Sequence, residues 1–158
     1  MSHEEYVRKT LSAVHVSSGY LKSRESNTVE FKESFNKNST AKYAKTMAAY
    51  ANNRGGFIIF GVKDNPREVS GLKNNNFENL NQEQFTDAIN SLFAPAIDWE
   101  CGSFVIQVEN PITGVDGEIE NKVTDLKIGW IYVEESEQKP IIAQKPNDGE
   151  KIVSGDVY

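Results

Sequence analysis

The stretch Ala48-Ala49-Tyr50-Ala51-Asn52-Asn53-Arg54-Gly55-Gly56-Phe57-Ile58-Ile59-Phe60-Gly61-Val62 decides the fold. Ala44, Met47, Ala48 and Ala51 recur at i, i+3, i+4 and i+7, which makes one apolar stripe on a helix. Alanines are small, so that helix packs closely on a sheet. Asn52 to Gly56 is a strong C-terminal stop. Phe57 to Val62 then runs apolar without alternation, with β-branched and aromatic residues, as a strand buried on both faces does. Upstream, Asn38-Ser39-Thr40 is a helix-start cluster, and Val29-Glu30-Phe31-Lys32 alternates as a short half-buried strand does. A polar loop is expected from about Ser17 to Thr28. Before it, Ser2 caps a first helix carrying Glu4 and Glu5 in its first turn and Val7, Leu11 and Val14 at helical spacing.

Downstream, Lys63 to Arg67 reads as a turn and Glu68 to Leu72 as a return strand. After an asparagine-rich linker, a second long helix begins near Asn81, carries Phe85, Ala88, Ile89 and Leu92 on one face, and is stopped by Pro95. The remainder reads as β: Phe104 to Val108, a long polar excursion from Asn110 to Asp125 with Gly114 and Gly117 as turn residues, then Leu126 to Val133. Lys139-Pro140 leads into Ile141 to Ala143, and Asn147-Asp148-Gly149 is a hairpin turn. This order predicts one α+β (mixed α/β) domain with a central mixed sheet, two main packed helices and an N-terminal helix.

The 158 residues suffice for one domain with a sizeable core. Charged residues at 25% and hydrophobic residues at 38% exclude disordered and fibrous classes. No apolar run approaches the ~20 residues that span a bilayer, so no membrane partner is expected. The N-terminus lacks the apolar region of a secretory signal. Cys101 stands alone, which excludes an intrachain disulfide and a multi-cysteine zinc site, and His3 and His15 are the two histidines. A reducing, cytoplasmic setting is the default expectation. The net charge of −6 is unevenly spread: through Lys73 there are 12 Lys/Arg against 7 Asp/Glu, and beyond it 5 against 16. The first half can present a basic face to phosphates, or simply a lysine-rich helix surface.

Walker A loops need G-x-x-x-x-G-K-[ST], and none exists here. Gly55-Gly56 follows a helix, at its negative dipole end, and reads as a cap and tight turn. There is no G-x-S-x-G elbow, and two histidines near the terminus make a Ser-His-Asp triad unpromising. Carboxylates remain. Glu25 precedes the first strand, Glu30 lies on it and Asp64 follows the central strand. Converging carboxylates suit hard cations such as Mg²⁺, which activate water and stabilise a phosphoryl transition state. Lys32 lies two residues after Glu30, on the same strand face, so Glu30-Phe31-Lys32 fits the E-x-K half of a restriction-type nuclease motif. Read blandly, Asp64 is a turn former and Glu30 with Lys32 a solvated strand face.

Glu25 to Ser34, then Ala48-Ala49-Tyr50-Ala51-Asn52 with Gly55-Gly56, then Gly61-Val62-Lys63-Asp64 resemble the Schlafen AlbA-type domain. That family shows E-x-x-x-x-E-F-K, an alanine-rich helix ending A-x-A-N-x-x-G-G, and a strand ending G-V-x-D. Val69-Ser70-Gly71 and Lys139-Pro140 resemble its V-x-G and K-P steps. The likeness is close over about Ser23 to Leu72 and loose beyond.

The resemblance implies residues 1–22 as an N-terminal helix and linker and 23–158 as the domain. Members usually continue into a Tyr-x-Arg segment, so the domain is expected to be truncated after Tyr158. It further implies binding of nucleic acid, DNA or RNA, in a bacterial regulator. In that reading Arg24, Lys32, Lys37, Lys42, Lys45 and Arg54 contact phosphates, while Tyr43 or Tyr50 stacks on a base or belongs to the core. The alternative is an endonuclease dependent on Mg²⁺ or Mn²⁺. Glu25, Glu30 and Asp64 match the family's metal-binding acids and Lys32 its adjacent lysine, which would stabilise developing charge. A third reading is a protein-interaction or homo-oligomerisation domain. Some members carry a divergent-ATPase label; with no Walker A loop, no ATP is expected here.

Overall fold

Alternating and continuous apolar runs on either side of a small-residue helix fold into a parallel crossover. In the computed structural model, which describes residues 1–12, 28–63 and 68–158, β1 (Val29–Lys32) leads through a single 3-10 turn (Lys37–Ser39) into α2 (Thr40–Ala51) and β2 (Gly56–Phe60). β1 and β2 pair in parallel, from Val29↔Phe57 to Lys32↔Phe60. An N-terminal helix, α1 (His3–Ser12), precedes them; β3 (Val62–Lys63), β4 (Glu68–Val69), α3 (Gln82–Leu92), β5 (Phe93–Ala94), β6 (Trp99–Thr113), β7 (Ile119–Val133) and β8 (Ile142–Ala143) follow. The main sheet has the order β1-β2-β7-β6, with β7 antiparallel to both neighbours.

All five residues of β2 are buried because helices cover both faces of the sheet. Tyr43, Ala44, Met47, Ala48 and Ala51 of α2, with Phe85 and Ile89 of α3, pack on Ile58, Phe60, Ile131 and Val133. On the opposite face Val7 and Leu11 of α1 meet Phe57, Ile59, Phe104, Ile128 and Trp130. The Ser2 hydroxyl accepts from the Glu5 amide at 3.1 Å while the Ser2 amide donates to the Glu5 carboxylate at 3.2 Å, a reciprocal cap. Tyr6 stacks on Phe57 at 4.7 Å, and the Arg8 guanidinium lies 4.2 Å over the Phe104 ring. The α+β class, the mixed sheet and the placement of three helices agree with the sequence. Val14, most of the expected loop from Ser17 to Thr28, and Asp64 to Arg67 lie outside the described residues.

Three local expectations change. The apolar run does not continue to Val62: Gly61 adopts φ +106°, and its carbonyl accepts from the Ser70 and Gly71 amides at 3.0 and 2.9 Å. The chain therefore bends after Phe60, and Val62 starts β3. The return strand shrinks to Glu68–Val69, because the Leu72 amide instead donates to the Lys127 carbonyl at 2.8 Å. Finally, the polar excursion from Asn110 to Asp125 is not a loop. β6 and β7 pair without a slip from Trp99↔Val133 to Thr113↔Ile119, so polar arms form a ribbon held by their own backbone. Only the turn at Gly114 and Gly117 remains, closed by the Gly114 amide on the Glu118 carbonyl at 2.7 Å. No described helix is long and apolar enough to cross a membrane.

Candidate phosphate-binding edge

The period of β1 puts Val29 and Phe31 into the core under α1 and turns Glu30 and Lys32 to the α2 side. Lys32 Nζ lies 3.3 Å from Glu30 Oε1, with both side chains largely covered. Glu30 Oε2 is buried and has no hydrogen-bond partner among the described residues. Glu30 borders a hollow of about 430 Å³ with Val29, Lys45, Thr46, Tyr50 and Tyr158. An unpartnered carboxylate oxygen is the donor type a hard cation takes. Its expected companions Glu25 and Asp64, and the expected phosphate contact Arg24, lie outside the described residues. Among the described residues, no group of three His, Cys, Asp or Glu could hold a metal ion.

The lysines separate by position along α2, whose 12 residues span about 18 Å. Lys37 is exposed in the turn before its N-terminus, and Lys42 is exposed on its first turns. Lys32 ends β1, and its carbonyl accepts from the Gly61 amide at 2.8 Å. Lys63, exposed at the end of β3, stands at this same carboxyl end of the parallel pair. Composition alone did not single it out. Its signal is indirect: Gly61 turns the chain so that Lys63 follows the bend.

Lys45 points elsewhere. Its Nζ donates to the Glu150 carbonyl at 3.1 Å and lies 4.8 Å over the Tyr158 ring. Arg54 sits past the other end of α2, in a hollow of about 600 Å³ with Asp98, Glu134, Glu135 and Glu137. Lys32 is thus paired with Glu30 at the end of β1, Lys37 and Lys42 are exposed before and on the first turns of α2, and Arg54 is held apart among carboxylates.

Both tyrosines that could stack on a base are buried. Tyr43 packs against Phe35 and Phe60 at 5.4 and 5.3 Å. Its hydroxyl accepts from the Asn36 amide at 2.9 Å, which fixes the turn carrying Lys37. Burial pushes the Tyr43 pKa up, and the nearby Glu30 charge adds to this; the Asn36 and Ser39 hydrogen bonds oppose it. Asn52, read only as part of a helix stop, does more. Its amide nitrogen donates to the Ile141 and Tyr158 carbonyls, both at 3.0 Å, and its oxygen accepts from the Ile141 amide at 2.7 Å.

A family model described as Schlafen, AlbA_2 matches residues 25–158. A protein of Ureaplasma parvum serovar 3, named an uncharacterized ATP-binding protein, is 55% identical over 156 residues; the match covers 99% of this chain and 42% of that relative. The chain therefore spans about two fifths of that relative's length. Among solved structures, a Corynebacterium diphtheriae protein aligns with TM-score 0.49 at 20% identity, over 89% of this chain and 26% of that one. The N-terminal domain of a RecG-related protein from Nitrosomonas europaea aligns with TM-score 0.47 at 20% identity, over 100% of this chain and 88% of that one. The name of the Ureaplasma relative overturns the expectation that no ATP is involved. A missing Walker A loop excludes one phosphate cradle, not the nucleotide, because other backbone concavities and lysines also receive phosphates.

Proposed function

The chain belongs to the Schlafen, AlbA_2 family, and on that premise we propose that it binds nucleic acid through phosphate contacts at the carboxyl end of β1 and β2. The observation that supports this reading is the exposure of Lys37 in the turn before α2 and of Lys42 on its first turns, with Lys32 at the end of β1 and Lys63 exposed at the end of β3. The positive end of the helix dipole adds to their field there. Exposed lysines meeting a phosphate backbone release counterions, so binding depends steeply on salt and little on sequence. The setting on this reading is cytoplasmic, within a longer regulatory protein.

ATP offers the same chemistry in a triphosphate, and the name of the Ureaplasma relative favours it as a second ligand of this edge. The test is fluorescence anisotropy with labelled single-stranded RNA, single-stranded DNA and duplex DNA across a salt series, with ATP as competitor. Replacing Lys37 and Lys42 by alanine should weaken binding to every sequence and lower the log–log salt slope by roughly 2. Lys145→Ala, an exposed change elsewhere, should leave the slope intact. Absence of binding at low salt, or a slope indifferent to Lys37 and Lys42, would remove this reading. Displacement of nucleic acid by ATP would assign both to one edge.

A further inference from the structure

The main sheet has two edges, β1 and β6. β1 is four residues long and carries Glu30 and Lys32, and shortness and charge both blunt an edge. β6 runs for 15 residues, contains no lysine and pairs with β7 without a bulge.

Which of its backbone groups face outward follows from parity. Just beyond the hairpin's last pair the Gly114 amide donates to the Glu118 carbonyl, and just before its first pair the Glu134 amide donates to the Asp98 carbonyl. Antiparallel pairs alternate between exchanging main-chain bonds and not exchanging them. The register is unbroken between these two points, so even-numbered residues of β6 bond to β7. The odd-numbered ones turn N–H and C=O away from it. Pro111, which has no N–H, falls on an odd position, where a strand proline costs no ladder bond. Cys101, Ser103, Val105, Gln107 and Glu109 then present an outward row that no strand among the described residues pairs. Val105, at the centre of that row, is 53% exposed.

We propose that this edge pairs antiparallel with the same edge of a second copy of the chain, about a two-fold axis at Val105. The two four-stranded sheets become one of eight strands. Val105 faces Val105 of the second copy, Ser103 faces Gln107, Phe104 faces Ile106 and Cys101 faces Glu109. Glu100 and Glu109 are the charges of β6, and in this register neither lies opposite a like charge. An axis at Val105 also keeps Pro111 at the margin of the paired stretch. The same strand is thereby complementary to itself in hydrogen bonding and apolar contact, with no like charges set opposite each other, as an isologous interface requires.

Mutual pairing at Val105 brings the two Cα atoms to about 5.5 Å, within disulfide reach. In a Cys101→Ser background, Val105→Cys should form an interchain disulfide under mild oxidation at least about ten-fold faster than Val153→Cys, another exposed valine. By sedimentation the unaltered chain should run at twice its 17.7 kDa mass. Val105→Lys, with an unchanged circular dichroism spectrum, should run as a monomer. A monomeric unaltered chain at its highest soluble concentration would overturn the proposal. So would Val105→Cys linking no faster than Val153→Cys, or a folded Val105→Lys that remains a dimer.

Discussion

Gly55→Ala is expected to cost the domain about 4 kcal/mol and to lower Tm by roughly 10 °C. Two terms add. Gly55 has φ +76°, and an L-residue held in that left-handed region pays about 1–2 kcal/mol. A Cβ there would also stand 2.6 Å from the Val133 carbonyl oxygen and 3.2 Å from the Glu135 amide nitrogen, both main-chain atoms. Val133 is registered with Gly56 at the start of the β2–β7 pair, so it cannot withdraw without opening the ladder that holds the sheet together. Overpacking of this kind costs a further 1–3 kcal/mol. Gly117 supplies the control, because its φ is also +76° but a Cβ there would meet nothing within 4 Å. Gly117→Ala should therefore show the conformational cost alone, about 1–2 kcal/mol. Thermal melts of the two variants, followed by circular dichroism, separate the terms. Equal shifts would mean that the step from α2 to β2 is not packed against β7.

The same glycine shows what a sequence discloses. The pattern of alanines and the stop after Ala51 predict where α2 ends, and the alternation of Val29 to Lys32 puts Glu30 and Lys32 on one face; both are local signals. The ribbon of β6 and β7 escapes that reading. Beyond Val108 its described side chains are mostly exposed, so no apolar period marks it as strand, and its arms are held by backbone pairing alone. Arg54 counts as one more cation in a basic half until the fold brings Asp98 and Glu134 to Glu137 around it from distant parts of the chain. Lys45 is likewise engaged by Glu150, 105 residues away. Charge along the chain thus overstated the size of the basic edge. Lys63 reached that edge only because Gly61 bends the strand, a feature that no propensity for Val62 or Lys63 conveys.

Asn52→Asp is expected to destabilise the domain by about 3 kcal/mol at neutral pH, and by less as the pH falls. The Asn52 amide ties the end of α2 to Ile141 and Tyr158 across 89 and 106 residues. It joins the first crossover unit to the segment that follows β7. Each such bond contributes about 1 kcal/mol net, and each partner left unsatisfied costs a further 1–3 kcal/mol where water is excluded. A carboxylate keeps the acceptor for the Ile141 amide at 2.7 Å but sets a negative oxygen against two carbonyls. The charged form is disfavoured, so the pKa of the introduced carboxyl rises above its unfolded value of about 3.9. With a raised acid pKa the folded state binds the extra proton. The deficit is then full above the folded pKa and shrinks as the pH drops through it towards the unfolded value. Protonation restores a donor to one of the two carbonyls. Asn52→Ala removes the bonds without adding a charge, so its deficit, about 2–3 kcal/mol, should not change with pH. Urea unfolding of both variants and the parent at neutral and acid pH measures the two deficits. Amide exchange at Ile141 should quicken in each, because that N–H loses its anchored acceptor or the rigid frame around it. A pH-independent loss in Asn52→Asp, equal to that in Asn52→Ala, would show that the two carbonyls turn to solvent when the donor is lost.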